Sequence, residues 1–189
     1  VPQRPTPGVE RVHLRPLDLA DQQVIEIAQA ELLADDFLFV FRGPDEPWAD
    51  FVERQERERV GIGLAEDRVA ATFLVAVVDG EIVGRVSIRH ELNDFLLNLG
   101  GHIGYAVRPA CRRQGYASAI LRQSLTVARD LGLAQVLLTC DDNNVGSARV
   151  IESAGGVLED VRLGSDGTPK RRYWIGLAPQ DVTGATSGR

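Results

Sequence analysis

Methionine is missing from this 189-residue chain, even at position 1, and Lys170 is the single lysine among 21 basic residues. The first absence suggests a processed or trimmed start. The second makes the positive charge almost wholly arginine, which fits compositional bias better than function. Histidine occurs three times and cysteine twice, as Cys111 and Cys140. Two cysteines do not build a disulfide framework, so a reducing cytoplasm is expected. No apolar run approaches the roughly 20 residues of a membrane span, and the polar, proline-rich opening VPQRPTPGVE is unlike a signal peptide. There is no GxGxxG, and no glycine followed by lysine and serine or threonine, so dinucleotide and nucleoside-triphosphate loops are excluded. An excess of basic charge is lacking too. The net charge of −6 argues against broad nucleic-acid binding, which needs a basic stripe to neutralise phosphates.

What is present fits one soluble domain, with 44% hydrophobic and 25% charged residues. Residues 1–9 read as a loose arm, 10–178 as the domain and 179–189 as a loose tail. Glu10 to Arg15 alternates as a strand, and Asp18 caps a helix running to about Ala34. An irregular linker, Asp35 to Pro47, leads to a strongly charged helix from Trp48 to Val60, read as a solvated face with i,i+4 pairs. Ala71 to Val78 and Glu81 to Arg89 form a hairpin around Asp79-Gly80. His90 to Gly101 is too apolar for a solvated loop and is expected to pack over something, as a short helix. A buried strand (Gln135 to Cys140), a helix (Asn144 to Ala154) and a hairpin (Val157 to Leu163, Arg171 to Leu177) complete an α+β order without internal repeats.

The organising stretch is His102 to Ala117, HIGYAVRPACRRQGYA. Ile103, Tyr105 and Val107 alternate with smaller residues as in a strand, which Pro109 ends. From Ala117 the spacing turns helical, through Ile120, Leu121, Leu125, Ala128 and Leu131. Gly115 therefore lies where a loop becomes a helix, whose free amides and dipole favour an anion. Gly115 allows close backbone approach, Ala117 keeps the first turn slim, and Arg112 and Arg113 add charge suited to phosphate.

A strand ending in V-R-P, then R-x-x-G-x-A, then a helix resembles the coenzyme-A pyrophosphate loop of the GNAT superfamily of acyl-CoA-dependent N-acyltransferases. The element order is similar over residues 10–177. Asn144, Ser147 and Gly155 match the spacing of the family's second coenzyme-A segment. The resemblance implies a GNAT-like fold: a central mixed, mostly antiparallel sheet of about seven strands with about four helices. It also implies acetyl-CoA as co-substrate and a primary amine as acceptor, attacked directly. The alternatives are a protein N-terminal or lysine acetyltransferase, and a coenzyme-A-binding sensor without catalysis. Expected partners are acetyl-CoA and a small-molecule or peptide amine, with no nucleic acid, membrane or metal, and a homodimer left open.

By the same resemblance, Arg112, Arg113, Gln114, Gly115, Tyr116 and Ala117 clasp the pyrophosphate. The open edge of Tyr105, Ala106 and Val107 pairs with pantetheine, and the Val107 amide polarises the thioester carbonyl. Asn144 bonds the pantetheine arm, serves as an N-cap, or does both. For the base, His102 is on the right strand, but its parity with Ala106 favours a structural role unless a bulge re-phases the strand. Glu91, Asp94, Asp141 and Glu152 are the other candidates. Many family members place a tyrosine seven residues past the asparagine to protonate the thiolate. Here that position is Ile151, which leaves Ser147, Tyr105 or Tyr116. The family's Gly-Phe pair is Gly155-Gly156. Cys111 reads as an incidental loop cysteine and Cys140 as core. The acceptor site is expected from the Asp35–Trp48 linker and the Gly164–Pro169 loop, with Asp35 and Asp36 candidates for a cationic amine.

Overall fold

The structure is a computed structural model that describes residues 11–35 and 37–177. Glu10, Asp36, the terminal arm and the tail lie outside the described residues.

The apolar alternation of the chain resolves into seven strands among the described residues, arranged in two sheets. The first has the order β1-β2-β3-β4, from β1 (His13–Arg15), β2 (Ala71–Val78), β3 (Glu81–Arg89) and β4 (Ile103–Val107). The second has the order β5-β7-β6, from β5 (Gln135–Asp141), β6 (Val157–Leu163) and β7 (Pro169–Gly176). Every ladder pair within the sheets is antiparallel. Four α-helices flank them: α1 (Gln22–Leu33), α2 (Trp48–Arg59), α3 (Tyr116–Asp130) and α4 (Val145–Ser153).

The first sheet is buried on both sides, so its strands carry apolar residues at both parities. One face, with Leu74, Ala76, Val86, Ile88 and Ile103, packs with Ile120 and Leu121 of α3 and Ala148 and Ile151 of α4. The other, with Val75, Val77 and Ala106, packs with Ile25, Ala28 and Leu32 of α1, Phe39 and Val40 of the linker, and Trp48 and Phe51 of α2. Asp79 and Gly80 both have positive φ, as the expected two-residue hairpin requires.

One local expectation shifts and one, the short helix after β3, holds in π form. Asp18 does cap, but it caps a single 3-10 turn, Leu19–Asp21, before α1 begins. Asp21 returns a carboxylate to the Asp18 amide at 2.8 Å and pairs with Arg15 at 2.7 Å, and this box holds the entry to α1. The apolar connection after β3 contains a π-type turn, Leu96–Gly100, that buries Leu96. No helix among the described residues is long and apolar enough to cross a membrane.

Candidate functional site

β4 and β5 meet at one point and then part. The His102 amide donates to the Leu137 carbonyl at 2.7 Å, and the Leu137 amide donates to His102 Nδ1 at 2.9 Å. Tyr105 lies within electrostatic reach of Cys140, at the same offset of 35 residues as His102 and Leu137, so the strands run in the same direction. In an antiparallel ladder only alternate residues turn their backbone groups toward a given neighbour. His102 accepts from the Arg89 amide and Arg108 donates to the Val83 carbonyl, so the even residues of β4 are bonded to β3. The backbone groups of Tyr105 and Val107 therefore point away from β3, into the opening beside β5. By the same rule Leu177 donates to Ala134 and Asp142 to Pro169, which turns Thr139 and Asp141 of β5 toward the opening from its other side. Apart from the Asp141 carbonyl, which accepts from the Asn144 amide at 2.9 Å, and the Val107 carbonyl, which accepts from Arg112, these edges lack ladder partners and are of the kind an amide-bearing chain can join.

Past β4, Pro109 starts a short 3-10 turn and α3 begins after Gly115. Gly115 is the N-cap of α3 with φ +84°, and Arg113 is also left-handed at φ +60°. Two left-handed residues this close turn successive amides to one side at a helix start, a concave anion site. Arg112 Nε donates to the Val107 carbonyl at 3.3 Å, and its Nη2 pairs with Asp35 at 2.6 Å. Asp35 thus has Arg112 as its neighbour on the surface; Asp36 lies outside the described residues. Gln114 donates to the Ala110 carbonyl at 3.3 Å, and Tyr116 packs partly against the core. The Cys111 thiol is pushed up by burial against the opposing pull of Arg108, so it is not the activated thiolate its arginine neighbours suggest.

Tyr105 projects toward α4, where its hydroxyl and Ser147 Oγ lie 3.1 Å apart. Burial pushes the Tyr105 phenol up, with the Ser147 bond opposing, so it keeps its proton. Asn144 caps α4 by accepting from the Ser147 amide at 3.0 Å, and its NH2 group remains able to donate outward. His102 takes the other direction. The β3–β4 register runs without a shift, so no bulge re-phases it. Its ring is 6% exposed, bonded to Leu137 and edge-on to Trp174 with centroids 6.2 Å apart. Burial, aided by Arg89, pushes its pKa down to about 4. Here it is a neutral clamp between the sheets.

On the opposite face of the first sheet lies a cavity of about 320 Å³ between α2, β3 and the π-type turn. Arg85, Ser87 and Arg89 of β3 line it, with Phe51, Arg54 and Glu58 of α2 above. Arg85 Nη1 donates to the Gly104 carbonyl at 2.9 Å, which links the cavity floor to the middle of β4, although no β4 residue lines the cavity itself. A second cavity of about 620 Å³ lies between α1 and the linker, from Ile25 to Trp48. The linker lines both, whereas the Gly164–Pro169 loop lines neither. Among the described residues no cluster of His, Cys, Asp and Glu could hold a metal ion.

Residues 11–157 match the model of the acetyltransferase (GNAT) domain. The chain belongs to the GNAT acetyltransferase family. Acetyl-CoA is accordingly its co-substrate, and it is an acyltransferase by family. No curated protein matches it significantly. Among solved structures it is similar to RimJ of Mycobacterium smegmatis with CoA-disulfide (20% identity, TM-score 0.66, 92% of this chain and 85% of that one). It is also similar to YncA of Salmonella typhimurium, described as an acetyltransferase and solved with acetyl-CoA (16%, 0.60, 93% and 99%). A third is a chimera of Vibrio cholerae spermidine N-acetyltransferase SpeG with hSSAT (17%, 0.61, 88% and 96%).

Against the GNAT pattern, the two departures noted in the sequence touch each other. Ile151 is 1% exposed in the core, so that position presents nothing to the opening. A Cβ at Gly156 would stand 2.5 Å from Ile151 Cγ2 and 2.8 Å from its carbonyl oxygen, leaving no space for the family's phenylalanine. Of the carboxylates considered as base, Asp141 pairs with Lys170 and Glu152 accepts from Tyr173 at 3.0 Å, while Glu91 and Asp94 are exposed. None of the four lines the cavity beside Gly104. Glu58 and Asp67 do, and the sequence reading passed over both. The i,i+4 pairs of α2 exist, but Arg54 and Glu58 make theirs while facing the cavity. The usable signal was Phe51, Gln55 and Glu58 at i, i+4 and i+7, one stripe led by a buried aromatic.

Proposed function

We propose that this GNAT enzyme transfers an acetyl group from acetyl-CoA to the amine of a small acceptor held in the cavity beside Gly104. The observation carrying this is the parting of β4 from β5 beyond His102 and Leu137, which leaves the Tyr105 backbone groups and the Val107 amide facing an open edge. Pantetheine amides fit that edge, the Val107 amide would polarise the thioester carbonyl, and the loop from Arg112 to Ala117 would take the pyrophosphate. Acetyl-CoA supplies the acetyl group as a thioester. The acceptor nitrogen forms the new bond to the carbonyl carbon as the C–S bond breaks, its proton passing to Asp67, Glu58 or water. Tyr105, relayed by Ser147, is placed to protonate the departing sulfur, although a thiolate of pKa about 8.5 leaves tolerably unaided. His102 is not part of this set.

A cavity of about 320 Å³ is at the small end of ligand sites and favours a small molecule over a protein chain. The catalytic unit is proposed to span residues 10–178, and two free cysteines support a cytoplasmic setting. The test is thiol release over a panel of amines, peptides and aminoglycosides, alongside calorimetry with acetyl-CoA. Turnover with at least one small amine is expected. Silence with every acceptor despite tight acetyl-CoA binding would replace this reading with the sensor one.

A further inference from the structure

Arginines that fold into this protein's interior are matched with acids. Arg54 pairs with Glu46 and Glu58, Arg108 with Glu31, Arg171 with Asp142, and Arg172 with Glu159 and Asp160. Arg129, away from the cavity, keeps a buried Nε without an acceptor, and Arg85 and Arg89 depart from the rule together in one place. Arg85 is 3% exposed and spends its Nη groups on the Gly104 and Leu38 carbonyls, at 2.9 and 3.1 Å, with its guanidinium 4.9 Å from the Phe37 ring centre. Its Nε is buried without any acceptor. Among the described residues the Arg89 side chain has no hydrogen bond and no ion pair, although burial and Arg68 together push its pKa down. Burial, then Arg89, pushes Arg85 down to about 9. Two guanidinium groups thus line one cavity within electrostatic reach of one another, with Arg68 at its rim, and among the described residues neither is paired with a carboxylate. Buried charge left uncompensated is costly, and buried donors are normally satisfied. Of the two acids in the lining, Glu58 is already engaged by Arg54, and Asp67 sits on the exposed rim.

We infer that the acceptor carries a carboxylate beside its amine, and that Arg85 and Arg89 hold that carboxylate at the floor of the cavity. Guanidinium forks match carboxylate geometry. The other walls combine the aromatic rings of Phe41, Phe51, Phe73 and Phe95 with the polar groups of Gln55, Ser87 and Asn93, so the body between the two polar ends is small and meets rings and hydrogen-bonding groups alike. This specifies an amino acid, with its carboxylate on the two arginines and its amine directed toward the opening beside Val107. The inference rests on the cavity being the acceptor site of the proposed reaction.

The test uses the full chain with matched amino acids and their carboxamides, which differ in the carboxylate alone. Calorimetry on enzyme preloaded with coenzyme A reads binding, and thiol release with acetyl-CoA reads transfer. Wild type should prefer acids by at least about tenfold in both, and R89Q should bring that ratio close to one, mainly by raising KM for the acids. Because a ratio is read, general damage to R89Q cancels, and the wild-type titration decides even where R89Q does not fold. Equal handling of acids and amides, binding of neither, or a preference that survives R89Q overturns the carboxylate subsite. Acids that bind preferentially but are never acetylated would instead leave the subsite standing and remove the catalytic reading.

Discussion

Replacing His102 with glutamine should remove a pH-dependent part of the folding stability while leaving acetyl transfer in place. The imidazole accepts from the Leu137 amide through Nδ1, which only the neutral ring can do. Protonation would set a second N–H against the first at the one point where the two sheets are tied. The folded pKa is pushed down to about 4 from the ordinary 6.5. The unfolded chain therefore binds a proton that the folded chain refuses between these values. The contribution is fully present above about pH 6.5 and is lost as pH falls toward 4. Between about pH 7 and about pH 4.5 the linkage is about 2.4 kcal/mol at full strength, and about 1 to 2 kcal/mol after screening by solvent.

Glutamine can accept from the Leu137 amide through its side-chain oxygen but does not titrate. Urea unfolding of both proteins across that range should give stability curves that converge toward acid, with wild type losing about 1 to 2 kcal/mol more. Carboxylates titrating over the same range are common to both, so the difference belongs to His102. Parallel curves would refute the clamp. A well-folded H102Q with collapsed turnover would refute it more sharply, by restoring the histidine as base.

The anion loop is tested with paired substitutions at Gly115. Both Gly115→Ala and Gly115→Glu suffer the left-handed backbone, at about 1 kcal/mol of stability, but only the glutamate puts bulk and negative charge at the amides. Calorimetry should show at least about a hundredfold loss of acetyl-CoA affinity in G115E beyond that of G115A, and equal affinities would sink the loop assignment. For the leaving group, Tyr105→Phe should lower kcat by about tenfold with acetyl-CoA affinity held within about twofold. Ser147→Ala should do the same, and the double variant should be no worse than either, because one shared bond is removed; unchanged turnover in Y105F discards the tyrosine as acid.

Local signals explain which features were legible in advance. The Asp79-Gly80 turn, the proline-ended strand at Val107 and the loop-to-helix change at Gly115 are short-range, and each is where the pattern put it. Parity assigned His102 to the face opposite Tyr105 because β4 has no bulge. What depends on pairing between distant segments was not legible. Nothing at Asp35 announces Arg112, 77 residues away, as its partner. The mixed sheet was anticipated, yet its division beyond His102 and Leu137 rests on a side chain taking a backbone partner's place. The arginines of the cavity were hidden because Arg85 and Arg89 alternate properly along a hairpin strand, where a charged residue reads as solvent-facing; α2 and the linker cover that face.

β4 shows why one short strand can serve two substrates without their sites colliding. Its odd residues send side chains toward α3 and α4 and backbone groups into the opening, so donor recognition needs no particular side chain at Val107. Its even residues face α1 and α2, where the acceptor cavity lies. Gly104 sits between these roles, and a Cβ there would come within 3.0 Å of Arg89 Nη1. The absent side chain lets the guanidinium lie across the strand, one residue from Tyr105. Alanine would need the guanidinium to give by a few tenths of an ångström, whereas a bulkier residue would displace it and, with it, a carboxylate bound there. A small displacement of that kind degrades attack geometry more than it degrades binding. If the cavity is the acceptor site, acceptor choice and rate would be coupled through Gly104, a position whose backbone φ places no demand for glycine and which lies against the Arg89 guanidinium.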